Sequence, residues 1–383
     1  MFHKLRESCR KKTMLEIQAA VCWERGERLE VSEVQLEDIL DNQVLIKVQA
    51  CSVSPFDALQ VSQGQKRNTY PLIPGHEAVG TAVKVGKDVK SVSVGDTVIP
   101  LSIPQCNQCS ACLSDKTNLC AALRVTRSQE FIPDYPPRLI ARDQSIFSYM
   151  GIAGFATYIA MPEISLVSVS SKVSAEELAL YCGPVVSGIG AVCTEINLHS
   201  PDKIAVFGAN PTGLGVVQGA SLEHVREIIV VDASRKRREM ALELGATVAL
   251  DPSALDGVLL KHIRELSKGG VDIAFECTGT QEFALFAIES SHEGWGQTVL
   301  VDTHQPLSPP SWSLPRISGG RCIKSSVFGG IQGRSDMQSF ISLYESGHVT
   351  VKPMIDSLIS LSDVNDALMT AQELDYLRHV IVF

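Results

Sequence analysis

Four cysteines crowd into residues 106–120, in the pattern Cys106-x2-Cys109-x2-Cys112-x7-Cys120. Four thiolates at such spacings close a tetrahedron around Zn²⁺ and leave no open position. The expected site is therefore structural: one zinc orders a loop that has little core of its own. An iron–sulfur cluster would bring a second set of cysteines or a Cys-Pro ending, and neither is present. The chain holds 11 cysteines, an odd number that excludes complete intrachain pairing. Clustered cysteines in a chain this long read as metal ligands in a reducing compartment rather than as secreted staples.

A second constellation could hold a dinucleotide. The apolar run KIAVFG leads into Gly208-Ala209-Asn210-Pro211-Thr212-Gly213 and then a helical pattern. The next apolar run, EIIVVD, ends in Asp232. A helix N-terminus offers N–H groups and a dipole to a pyrophosphate, and an acid at Asp232 accepts ribose hydroxyls and repels a 2′-phosphate. This favours NAD(H) over NADP(H). The glycine pattern is altered, however. Asn210 stands where a middle glycine lets phosphate approach, and Pro211 removes a donor while suiting a first helical position. Gly208 and Gly213 remain for the turn and for helix–strand packing. The run Arg235-Lys236-Arg237-Arg238 reads as a solvated helix face with one ribose contact, rather than as a 2′-phosphate pocket.

Two kinds of element must position these residues. From Ile17 to Val98 short Val-rich runs broken by glycine imply strands of a small barrel or rolled sheet. Residues 121–150 show little periodicity and read as a long surface excursion. From about residue 185 strands alternate with helices of ordinary length, which implies parallel βαβ units in a doubly wound Rossmann sheet. The C-terminal part adds helices around 336–347 and 364–374 and a last strand, RHVIVF. The fold class is α/β.

With 45% apolar and 20% charged residues the chain is neither disordered nor of unusual composition. A net charge of −9 argues against a general nucleic-acid binder or a polybasic membrane protein. No apolar run approaches the length of a membrane-spanning helix. The start, MFHKLRESCRKKTM, is basic without an apolar stretch, so it does not read as a secretory signal. Glu7 and the lack of an amphipathic pattern argue against a mitochondrial presequence. A frayed tail and a cytoplasmic location are expected.

GHEAVG (75–80), VGDTVIP (94–100), the cysteine loop, DKTNLC (115–120) and FECTG (275–279) resemble the zinc-containing medium-chain alcohol dehydrogenases. IPQCNQC, LRVT (123–126), GWG (294–296) and VFGG (327–330) are similar to the class III branch, the glutathione-dependent formaldehyde dehydrogenases. The resemblance runs from about residue 17 to 383. It implies a tail at 1–16, a GroES-like catalytic domain at 17–187 and 328–383 with the zinc loop at 104–120, and a Rossmann domain at 188–327. It also implies a homodimer and a small-molecule substrate, with no nucleic-acid or membrane partner. Arg237 matches a basic residue near the adenosine ribose and Arg378 an arginine that reaches the pyrophosphate. Thr278 and Val301 fall on further coenzyme positions.

The same resemblance supplies a reactive centre and its departures. His76, Glu77 and Cys182 match two ligands and the neighbouring carboxylate of a catalytic zinc, and Asp57 matches the acid that orients the histidine. The third ligand should be a cysteine, yet Ser54 stands there. Cys51, three residues earlier, should face the other side of the strand. Phe56 replaces a proton-passing Ser or Thr, Pro55 a basic residue and Leu59 a relay, while Asp302 and Thr303 replace small apolar residues. Arg124 matches the class III carboxylate-binding arginine, but Gln65 and Arg67 replace acids that would receive the glutathione amine. Glutathione adducts are therefore not the expected substrates. The first expectation is an NAD(H)-dependent oxidoreductase interconverting an alcohol and an aldehyde or ketone. The alternatives are a reductase of an activated C=C or C=N bond without catalytic zinc, and a non-catalytic dimeric scaffold.

Overall fold

The structure, a computed structural model of the chain, describes residues 14–64, 70–122, 138–196, 203–255, 257–301 and 319–383. Three sheets organise them. A five-stranded sheet joins Met14–Val21, Glu30–Glu37, Leu139–Ala141, Gln144–Ser148 and Leu72–Ile73. A seven-stranded sheet is built around the long strand Gln43–Val53, which pairs with Glu77–Val85, Tyr158–Pro162 and the C-terminal strand Arg378–Val382. The third sheet has six parallel strands. Its centre is Lys203–Phe207, flanked by Glu227–Val231 and Ile273–Glu276.

The β-rich sheets and the parallel sheet are the two parts of the expected α/β architecture. The strand Ile204–Phe207 is fully buried and reads as a continuous apolar run, as a parallel strand covered on both faces must. Helices Pro211–Leu222, Arg235–Glu243, Leu259–Leu266 and Gln281–Ser290 supply the crossovers.

Four features depart from the sequence reading. The first strand opens at Met14, inside the expected tail. Residues 139–148, expected within a surface excursion, form the antiparallel pair Leu139–Ala141 and Gln144–Ser148. Ser54 is followed by a helix, Pro55–Ser62, in a region expected to hold strands and turns. A sixth parallel strand, Cys322–Ser326, adds to the edge of the Rossmann sheet. Among the described residues no helix is long and apolar enough to cross a membrane.

Helix Val186–Cys193 packs closely against Pro211–Leu222. Small residues permit the approach. A Cβ on Gly188 would lie 2.0 Å from the Thr212 carbonyl oxygen, and one on Gly215 would lie 2.4 Å from that of Val185. Neither backbone can yield without separating the helices. Gly188→Ala is therefore expected to destabilise the fold by about 1–3 kcal/mol, the range for overpacking a well-filled interior. Thermal unfolding followed by circular dichroism checks this, and an unchanged Tm would contradict it.

Candidate active site and zinc loop

The cysteine loop is held by two short 3₁₀ turns, Cys112–Ser114 and Thr117–Leu119. Asn107 and Asp115 take positive φ angles of 58° and 57°, which their short polar side chains tolerate. The four sulfurs lie within 4.8 Å of one another, and Cys106 and Cys112 Sγ are 3.9 Å apart. Tetrahedral Zn–S bonds of about 2.3 Å place sulfurs about 3.8 Å apart, so the donors fit zinc. Donation from the Ala121 N–H holds the Cys109 thiol down to about 6, whereas burial pushes Cys120 up to about 12. Leu113 is exposed and contributes no core. Polar ties run outward: Asn118 Nδ2 donates to the Val327 carbonyl at 2.9 Å and the Gln105 N–H to the Ile164 carbonyl at 2.7 Å.

At the reactive centre, Ser54 caps helix Pro55–Ser62. Its Oγ accepts from the Phe56 N–H at 3.2 Å. Its own N–H donates to Asp57 Oδ2 at 2.9 Å, which completes a capping box. Asp57 is fully buried, and its other oxygen accepts from the Gly75 N–H at 3.0 Å and meets His76 Nδ1 at 3.2 Å. Burial opposes charge on His76, but Asp57 and Glu77 outweigh it and raise the imidazole above its ordinary value.

Glu77 extends from the same turn. His76 Nε2 lies 3.9 Å from Glu77 Oε1. The Glu77 carboxylate receives both Nε and Nη2 of Arg378, each at 3.2 Å. Cys182 sits in a π-helical turn, Tyr181–Val185, that contains Pro184. It is buried, and burial pushes its thiol well up. Phe56, His76, Glu77, Cys182 and Arg378 line a cleft together with Ser187 and Thr212, so both lobes contribute to it.

The expected trio His76, Glu77 and Cys182 is brought to one cleft but not into one ligand set. Among the described residues, the only group of three or more His, Cys, Asp or Glu ligand atoms within mutual reach is the cysteine loop. Ser54 supplies a neutral hydroxyl already accepting a backbone hydrogen bond. Glu77 is committed to Arg378. Cys51 faces elsewhere, packed beside Gly154 in the apolar interior. These donors do not fit a catalytic zinc.

The coenzyme residues gather at the ends of the parallel strands. Gly208 has a φ of 91°, and a Cβ there would lie 2.7 Å from Thr278 Cγ2. A Cβ on Gly213 would collide with the Gly208 carbonyl at 1.8 Å. Asn210 is the helix cap: its Oδ1 accepts from Gly213 N–H at 3.0 Å and its Nδ2 donates to the Cys277 carbonyl at 2.6 Å. Its side chain is thus folded into the turn rather than left free over the helix end. Asp232 accepts from the Ala209 N–H at 2.7 Å and the Ser234 N–H at 2.8 Å. Thr278 donates to buried Glu276, and Val301 closes strand Gln297–Val301.

The basic run is solvated on one side only: Arg235 and Lys236 are exposed, whereas Arg237 and Arg238 are partly buried. Lys236 pairs with Asp356, Arg237 donates to the Tyr376 carbonyl, and Arg238 pairs with Asp251 at 3.0 Å. Arg235 is the most exposed of the four and pairs with Glu239. Ser234 Oγ reaches Asp375, and Leu377 N–H donates to Asp356 at 2.8 Å. Asp375 and Tyr376 are thereby strapped to the coenzyme lobe. Short-range sequence patterns carry no signal for these contacts, because the partners lie far apart in the chain. Gln65, Arg67, Arg124, Asp302 and Thr303 lie outside the described residues.

A β-rich lobe with a cysteine zinc loop, joined to a Rossmann lobe across a shared cleft, defines a medium-chain dehydrogenase. Residues 40–171 match the family model of the alcohol dehydrogenase GroES-like domain, and residues 211–346 match that of the zinc-binding dehydrogenase. The chain is 35% identical to an alcohol dehydrogenase class-3 of Cereibacter sphaeroides, over 95% of this chain and 99% of that one. It is also 35% identical to an S-(hydroxymethyl)glutathione dehydrogenase of Escherichia coli, over 95% and 98%. Benzyl alcohol dehydrogenase from Acinetobacter calcoaceticus has the same fold, with a TM-score of 0.88 at 23% identity over 96% of this chain and 99% of that one. The chain belongs to the zinc-containing medium-chain alcohol dehydrogenase family.

Two outcomes follow from this geometry. Stripping the loop with a chelator is expected to open residues 104–120 to trypsin at Lys116, and a protease-resistant apo form would contradict the structural role. Arg378→Met leaves the Glu77 carboxylate buried and uncompensated, with an expected loss of about 3–5 kcal/mol in urea unfolding. Pairing it with Glu77→Leu is expected to restore most of that loss.

Proposed function

We propose that this chain is an NAD(H)-dependent oxidoreductase that interconverts an alcohol and an aldehyde or ketone. The observation that carries this reading is the cleft itself. It places His76, Glu77 and Arg378 of the β-rich lobe beside Thr212 at the start of the first Rossmann helix. A nicotinamide lying there would exchange hydride with a small substrate resting on Phe56, Ile103 and Phe328. The apolar walls exclude water, and the Glu77–Arg378 pair fixes the floor.

The acid at Asp232 supports NAD(H) over NADP(H). Arg237 and Arg238 are held by Tyr376, Asp251 and the backbone, so neither is free to grip a 2′-phosphate. The adenosine ribose would lie beside Asp232 and Arg237, with Arg378 facing the pyrophosphate. Asn210 leaves fewer donors for that pyrophosphate than an open glycine turn, because it occupies the Gly213 N–H. Affinity for the coenzyme is therefore modest in this reading.

The division into 17–187 with 328–383 and 188–327, a homodimer, and a cytoplasmic location belong to the same proposal. They are supported by family membership and by the free thiols. The C. sphaeroides and E. coli relatives are named as a class-3 alcohol dehydrogenase and an S-(hydroxymethyl)glutathione dehydrogenase. Gln65 and Arg67 argue for a different substrate here. A second reading, reduction of an activated C=C or C=N bond, is favoured by the incomplete zinc ligand set alone.

Calorimetric titration is expected to show NADH binding at least tenfold tighter than NADPH, with NADH formed from NAD⁺ on addition of a primary or secondary alcohol. Absence of binding by both coenzymes would overturn the proposal.

A further inference from the structure

We infer that this chain binds one zinc ion per subunit, in the cysteine loop, and that the centre between its lobes works with no metal on the substrate. The inference deepens the reading of the cleft given above, and the metal count stands apart from coenzyme binding.

The argument is one of donors and charge. A zinc with an open position needs three protein ligands, and the negative charge of thiolates or carboxylates offsets the ion. Each residue around His76 is otherwise engaged. Ser54 brings no charge, and its Oγ accepts the Phe56 N–H as the cap of a helix. Its backbone N–H is locked to Asp57, so the residue cannot swing away without dissolving the capping box. Glu77 spends both oxygens on Arg378, at 3.2 Å each.

Among the described residues lining the cleft, Cys182 is the one that carries a sulfur, and it is buried. Cys51 offers no rescue. It pairs with Ala78 while its neighbour Ser52 pairs with Glu77, and its sulfur lies against Gly154 in the apolar interior. One imidazole and one thiol do not make a resident zinc site.

The capping geometry also says what would restore it. Ser54→Cys puts a thiolate at the position the hydroxyl now holds, without disturbing the Asp57 hub. A cysteine sulfur accepts the Phe56 N–H more weakly, so a small loss in Tm is expected.

The test is zinc per chain, by mass spectrometry of the metal in full-length protein purified with zinc and freed of loose ions. The wild type is expected to hold one zinc and Ser54→Cys two. Cys182→Ala in the wild-type background is expected to leave the count at one, which covers the case that Ser54→Cys does not fold. Two zinc in the wild type, or a drop from two to one with Cys182→Ala, would overturn the inference. A folded Ser54→Cys protein that stays at one zinc would overturn Ser54 as the missing donor. NADH titration of the same samples keeps the outcomes apart: bound coenzyme with two zinc refutes the metal count alone, and one zinc without coenzyme refutes the hydride reading alone.

Discussion

The Asp57 carboxylate is the constraint on which the reactive centre depends. It is fully buried, and its two oxygens tie together three backbone and side-chain groups: Ser54 N–H, Gly75 N–H and His76 Nδ1. One residue therefore fixes the start of helix Pro55–Ser62, the turn before strand Glu77–Val85, and the orientation of the imidazole. A buried carboxylate is costly unless its hydrogen-bonding capacity is filled, and here the fold fills it. His76 in turn leans edge-on against Tyr149, with ring centroids 5.5 Å apart. Glu77, next in sequence, carries the network across to Arg378 on the C-terminal strand.

From Arg378 the same network reaches the coenzyme lobe. Tyr376 donates its hydroxyl to the Val53 carbonyl, one residue before Ser54, while its own carbonyl receives Arg237. Asp375 meets Ser234, whose N–H is held by Asp232. A short strap thus links the acid expected at the adenosine ribose with the residues around the substrate. Few degrees of freedom separate the two ends of the cleft, and this prepositioning is what hydride transfer requires.

Much of the architecture was legible because it rests on local signals. The cysteine spacing gave the loop, and the alternation of apolar strands and helices from residue 185 gave the parallel sheet. The helix at Pro55–Ser62 was missed although a signal was present. Ser54-x-x-Asp57 with Pro55 at the first helical position is a capping box, a helix start set inside a run of strands and turns. The strand Cys322–Ser326 was missed for another reason: it is an edge strand, mostly part-exposed, with no clear alternation. The role of the basic run was invisible locally, since Asp356 and Tyr376 lie more than a hundred residues away in sequence. At the centre, sequence alone showed that a thiolate was missing. It did not show that Ser54 and Glu77 are already committed to other bonds.

The family's chemistry ordinarily places a metal where this chain places a hydroxyl and a closed ion pair. X-ray absorption at the zinc edge of the purified protein tests that difference most directly. A single shell of four sulfurs at about 2.3 Å is the predicted result, because every zinc then sits in the cysteine loop. A mixed shell with nitrogen or oxygen neighbours at about 2.0–2.1 Å would place zinc on His76 and contradict the account.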